Sequence, residues 1–197
     1  MSSILDSLQN HLGPDTIQQI SNQIGSDPAA TQNAIGMALP MLLSGLSSNA
    51  AQPEGAAALD TALGQHDGSI LDNLGGLLGG AAGGGIGGAI LGHILGSKRT
   101  PVEEGVARGS GLNTQQVGKL LILLAPIVMG VLGRMKQQGG MSADQLPDVL
   151  NRGKADLEAR APSTGGLGAM LDQNRDGSIA DDVLRAGTSV LGGLFRK

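Results

Sequence analysis

Lys119–Arg134, KLLILLAPIVMGVLGR, is the most apolar run in the chain, and it carries a proline, Pro126, in its middle. A weaker version, AIGMALPMLLSGL, stands at Ala34–Leu46 with Pro40 in the matching place. An offset of 86 positions superimposes the two runs, and it also sets Gly25 on Gly111, Ile20 on Val106, Leu42 on Val128 and Leu46 on Leu132. The repetition predicts an all-α chain of two tandem homologous helical units, each built around a proline-bearing core helix. A proline inside a helix removes one backbone hydrogen bond and bends it, so Pro40 and Pro126 predict matching bends. The thirteen residues from Leu120 to Leu132 reach about 20 Å as a helix, short of a hydrocarbon core about 30 Å thick. The run reads as a buried core helix.

Helix punctuation extends the plan outward. In the first unit residues 3–12 read as a short helix stopped by Gly13, and Pro14 opens a second that ends at Gly25. Asp27 caps a third, with Pro28 as its first residue, running through Pro40 to about Leu46; Pro53 starts a fourth, ending near Gly64. In the second unit Thr100–Pro101 opens a helix to about Gly109, Asn113 caps the long core helix to about Gln138, and Ser142 caps Ala143–Asn151. Pro147 weakens that last helix, and Lys154–Arg160 is a charged extension without a counterpart in the first unit.

Between the units lies Gly75–Gly96, GGLLGGAAGGGIGGAILGHILG, with glycines at 76, 80, 84, 88, 92 and 96. Such a ladder lets helices approach closely in a membrane, and 22 residues without a formal charge nearly meet the length of a span. Against that, each glycine costs a helix about 1 kcal/mol relative to alanine. Residues 75–88 therefore read as a glycine-rich linker, with a short helix at Ala89–Leu95. The chain divides into an acidic helical unit (1–74), the linker (75–88), a basic helical unit (89–160) and a tail (161–197) with a loop and a C-terminal helix.

Composition narrows the interior. The chain of 197 residues has 34 glycines, one aromatic residue (Phe195) and no cysteine, so its core is Leu, Ile, Val, Met and Ala packed through glycines. Disulfides and thiolate metal sites are excluded. Net charge is −4, but the seven acids before Lys98 meet no Lys or Arg, and all 13 basic residues lie from Lys98 onward. That segregation favours docking of one half on the other, within a chain or head to tail between chains. The N-terminus, MSSILDSLQNHLG, lacks the basic start of a secretion signal, so a cytoplasmic setting is the expectation.

One ion site is a candidate. Asp172–Asp182, DQNRDGSIADD, sets oxygens at relative positions 1, 3 and 5 (Asp172, Asn174, Asp176), then Gly177 for a tight turn, like the first half of an EF-hand loop. Ca²⁺ could also take the Ser178 carbonyl and Asp181 or Asp182. Position 12 is Val183, where an EF-hand places its bidentate Glu, so closure must be tighter or binding weaker. The alternative is a turn whose Asp and Asn side chains bond to nearby amides. His66–Asp72, HDGSILD, repeats DGSI and the following Asp but has Leu63 and Gln65 in place of Asp172 and Asn174, which favours a structural role for DGSI itself.

The remaining chemistry is sparse. His11, His66 and His93 have no partner at metal-ligand spacing, and His11 and His93 read as C-terminal helix caps. No nucleophile motif, phosphate loop, or basic cluster with stacking aromatics is present, which argues against catalysis and nucleic-acid binding.

Residues 90–112 (ILGHILGSKRTPVEEGVARGSGL), 117–140 (VGKLLILLAPIVMGVLGRMKQQGG) and 171–184 (LDQNRDGSIADDVL) resemble the bacterial DUF937 family. The resemblance implies a mostly helical protein with glycine-rich linkers and a D-x-[DN]-x-DGS-x-x-DD tail. The chain departs from it at Asn174 and Arg175, where that tail is commonly more acidic. The family is uncharacterised, and the resemblance brings no activity. The reading is an interaction protein, not an enzyme, that forms a homo-oligomer or binds a protein partner through Gly/Ala/Leu helix faces, with Val183–Phe195 as one contact; the alternative is membrane association through the glycine ladder.

Overall fold

The computed structural model describes residues 4–65, 68–72, 76, 82–139, 142 and 145–160. Among the described residues nine α-helices stand in order: α1 (Ile4–His11), α2 (Pro14–Ile24), α3 (Pro28–Ala50), α4 (Pro53–Gln65), α5 (Ser69–Asp72), α6 (Ala82–Leu95), α7 (Arg99–Ser110), α8 (Thr114–Gly139) and α9 (Leu146–Arg160). A 3-10 turn, Gly96–Lys98, joins α6 to α7, and no strand occurs among the described residues. The all-α class follows.

The long helices α3 and α8 start from the same local chemistry. Asp27 Oδ1 accepts the Ala30 N–H at 2.9 Å, and 86 positions later Asn113 Oδ1 accepts the Gln116 N–H at 2.9 Å. At α8 the exchange is reciprocal, since Gln116 Oε1 takes the Asn113 N–H at 3.0 Å, completing a capping box. The helices before them, α2 and α7, both end on a left-handed glycine, Gly25 (φ 73°) and Gly111 (φ 79°), whose N–H closes on Ser21 and Ala107. Both long helices run through their prolines, α3 to Ala50 and α8 to Gly139.

Packing makes the two long helices the core. Buried on α3 are Ala34, Ile35, Ala38, Leu39, Leu42, Leu43 and Leu46; on α8 burial is nearly unbroken from Leu120 to Gly133. Each fully buried leucine contributes about 1.5–3 kcal/mol by leaving water. The elements of the two halves interleave: α3 carries α9, α7 and α6 on its sides, while α8 packs against α6, α1, α2, α4 and α5. The short helix α1 rests chiefly on α8 and α9.

Two features differ from the sequence reading. Helix α6 begins at Ala82, inside the stretch assigned to linker, because tertiary packing overrides glycine's propensity cost there. Its buried side, Gly87, Leu91, Ile94 and Leu95, lies against α8 and α3. A Cβ at Gly87 would collide with the Ile122 carbonyl oxygen, and one at Gly45 of α3 would lie 2.8 Å from the Ile94 carbonyl oxygen. Ile122 is four residues before Pro126, so its carbonyl is the one that the proline leaves without an intrahelical donor. Gly87 is the residue that α6 sets against that carbonyl. Likewise α9 runs unbroken to Arg160, with Pro147 in its first turn, where a missing N–H costs nothing.

Length alone does not keep α8 out of a membrane, since the helix has 26 residues and extends past both Lys119 and Arg134. Among the described residues it is one helix long and apolar enough to cross, and 83% of its most apolar stretch is buried by the surrounding helices.

Candidate functional site

The turn at Gly68 and the short helix α5 after it dock on α8. Gly68 has φ 85°, a left-handed value that side chains avoid, and its carbonyl accepts the Leu71 N–H at 2.9 Å. This turn starts α5 and sends Leu71 into the core, while Ile70 and Leu71 press on Gly130 of α8. Arg134, one helical turn after Gly130, donates from one nitrogen to the Gly68 carbonyl (3.2 Å) and to Asp72 Oδ1 (2.7 Å). Asp72 is thus committed to a guanidinium on another helix.

His11, at the end of α1, belongs to the same neighbourhood. Its pKa is lowered from the ordinary value, first by burial and next by the Arg134 charge, with Asp72 opposing. A second ion pair lies close by in sequence: Lys136 Nζ sits 2.6 Å from Asp60 Oδ1 and donates to the Asp60 carbonyl at 2.7 Å. That Oδ1 is closed off from water and meets the ammonium as an ion pair without a well-directed hydrogen bond. Both pairs tie the acidic half to the basic half within one chain. Another pair, Arg99–Glu103 at 2.7 Å, lies within α7.

A different kind of surface occurs on α6. Its outward residues include Gly85, Ile86, Ala89, Gly92 and His93, all exposed, and Ile86 is 54% exposed, the one large apolar side chain so placed among the described residues. No formal charge occurs from Ala82 to Leu95. The glycines split by duty: Gly87 meets α8, whereas Gly85, Gly88 and Gly92 have open space where a Cβ would stand. Of the ladder read from the sequence, Gly88, Gly92 and Gly96 have open space there, and the close contact with α8 is made by Gly87, which lies off it.

The sequence-predicted ion ligands Asp172, Asn174, Asp176, Ser178, Asp181 and Asp182 lie outside the described residues, as does His66. Among the described residues, no three His, Asp or Glu side chains come together as a metal ion requires. His11 and His93 lie in the last turns of α1 and α6. At α6 the terminal carbonyls are taken by Asn49 of α3, whose Nδ2 donates to His93 O at 2.8 Å and to Ile94 O at 3.2 Å. Sequence reasoning missed Asn49, Asp60, Arg134 and Lys136, since no local pattern marks a side chain that acts on a distant helix. The charge segregation was the available signal.

A family model described as "Bacterial protein of unknown function (DUF937)" matches residues 6–135. No curated protein and no solved structure matches the chain.

Proposed function

The chain belongs to the DUF937 family of bacterial proteins of unknown function, and from its geometry we propose that it is a non-enzymatic interaction module that self-associates through the outward face of α6. The observation that carries this reading is the contrast between an interior that encloses its leucines and one uncharged helix face that leaves Ile86, Ala89 and Gly92 in water. A face of small residues lets a second helix come close, and an uncharged face presents no repulsion to its own copy, so a two-fold contact is its natural partner. The module then works by holding subunits together, in a cytoplasmic setting.

Two further elements belong to the proposal. The matched caps, left-handed glycines and prolines at an offset of 86 support descent from a duplicated helical unit. The segment Asp172–Asp182 supplies calcium modulation, with Asp172, Asn174, Asp176, Ser178, Asp181 and Asp182 as ligands.

The test is the solution mass by light scattering, with calcium and with a chelator, for the natural chain and for Gly92→Glu. Position 92 has open space for the new side chain, so this variant keeps its fold and places a charge on the face. An oligomer that the variant lacks supports the reading, and a monomer at every concentration overturns self-association. A mass that is the same with calcium and chelator removes the calcium element. Co-flotation of the natural chain with lipid vesicles, lost in Gly92→Glu, would instead assign the face to a membrane surface. Helix α6, 14 residues long, reaches about 21 Å, which is short of a span.

A further inference from the structure

We propose that the two halves of residues 4–160 are exchangeable between chains, so that α1–α5 of one copy complete α6–α9 of a second copy in a closed two-fold dimer. This goes beyond the α6 face and uses none of it. The observation behind it is that neither half closes a core alone. Helix α1 packs chiefly on α8 and α9, and α3 packs more on α9 and α7 than on α2 and α4 of its own half. Gly153 of α9 is seated against Ile4 and Leu43.

The polar contacts between distant parts of the sequence follow the same division. Ser47 donates to Asn151 Oδ1 (2.6 Å), Asn49 to the His93 carbonyl (2.8 Å), Gln116 to the Gly25 carbonyl (2.6 Å), Lys136 to the Asp60 carbonyl (2.7 Å) and Arg134 to Asp72 (2.7 Å). Each joins α1–α5 to α6–α9. The charges are complementary by half, with acids before residue 98 and bases after it. An interface of this kind forms equally well within a chain or between two, because exchanging halves creates no new surface and loses no contact. The covalent connection of the halves favours pairing within the chain by raising their effective concentration. Exchange therefore gains at high protein concentration, or when the chain's own halves are mismatched.

The test uses full-length chains carrying Gly92→Glu throughout, which blocks the α6 face. One version adds Asp60→Lys and Asp72→Arg, and the other adds Arg134→Asp and Lys136→Asp. Each mismatches its own halves, but the exchanged pair matches all four charges. Refolded together, the two versions are expected to give a 1:1 dimer of twice the 19.7 kDa chain mass, with a thermal transition above that of either version alone. Separately, the chain with Gly92→Glu alone, refolded at high concentration, is expected to yield a dimer that persists on dilution, because release requires the halves to part. Monomers in both experiments, or dimers that pair like with like, overturn the proposal. Failure of the α6 reading shows independently, as an equal mass for the natural chain and Gly92→Glu without refolding.

Discussion

Helices α3 and α8 begin with the same cap geometry, carry a proline at the matching position and bury the same face, yet they are used differently. Helix α8 is enclosed nearly all round, whereas α3 leaves Gly36 in water. The prolines make the difference concrete. Pro126 frees the Ile122 carbonyl, and Gly87 of α6 lies against it; Pro40 frees the Gly36 carbonyl, whose residue is exposed. One proline site has become a helix crossing, and the other lies beside an exposed residue. Similar sequence runs thus acquire unlike roles from what packs on them.

The sharpest way to break that comparison is to add a methyl group to a glycine on each side of it. Gly87→Ala drives a Cβ into the Ile122 backbone oxygen, which no rotamer change relieves, so a loss of about 3 kcal/mol in urea denaturation is expected. Gly36→Ala meets open space in an exposed helix interior and should gain about 1 kcal/mol. Equal effects at the two positions would mean that α6 does not lie on α8 at this point.

Replacing each proline tests the carbonyls themselves. Pro40→Ala restores a helix hydrogen bond to a carbonyl now left to water, and a gain of up to about 3 kcal/mol is expected from propensity alone. Pro126→Ala should gain less, since its new N–H competes for an oxygen that Gly87 already approaches. A larger gain at 126 than at 40, read from the shift in denaturation midpoint, would remove the Gly87–Ile122 contact from the account.

The caps are where the two helices should agree. Asp27→Ala and Asn113→Ala each remove one acceptor from a first-turn N–H at the same 2.9 Å distance, and each should cost about 1 kcal/mol. Gln116→Ala should cost slightly more than either, because its side chain both accepts the Asn113 N–H at 3.0 Å and donates to the Gly25 carbonyl at 2.6 Å. Thermal melts of the three variants side by side check the order.

The all-α class, both caps and the starts of α2, α3, α4 and α8 were legible in the sequence because each rests on neighbours within four residues: Pro14, Asp27, Pro53, Asn113. The start of α6 was not. Gly83–Gly85 and Gly87–Gly88 carry a local propensity against helix, and the term that overrules it is a contact with Ile122, more than thirty positions away. The same holds for the candidate site. Gly68 announced a turn by itself, but the partner of Asp72 is Arg134, and nothing near residue 72 names it. Charge segregation pointed to the pairing of halves without naming the residues.

The smallest expected effect concerns His11, which sits where α1 meets the Arg134–Asp72 pair. Burial and then the Arg134 charge lower its pKa in the folded chain, so protons bind the unfolded state more readily. The contribution of this residue is fully present above its unfolded value, about 6.5, and stability is lost as pH falls from there through the lowered folded value. Urea midpoints measured between pH 8 and pH 5 should decline for the natural chain, and His11→Gln should remove part of that decline while leaving the pH 8 midpoint nearly unchanged. Asp72→Asn, which removes the opposing carboxylate, should steepen the decline, because His11⁺ would then face Arg134 without compensation. A flatter profile in Asp72→Asn than in the natural chain would place the proton-linked group elsewhere, and the turn that holds Arg134 would be a packing device only.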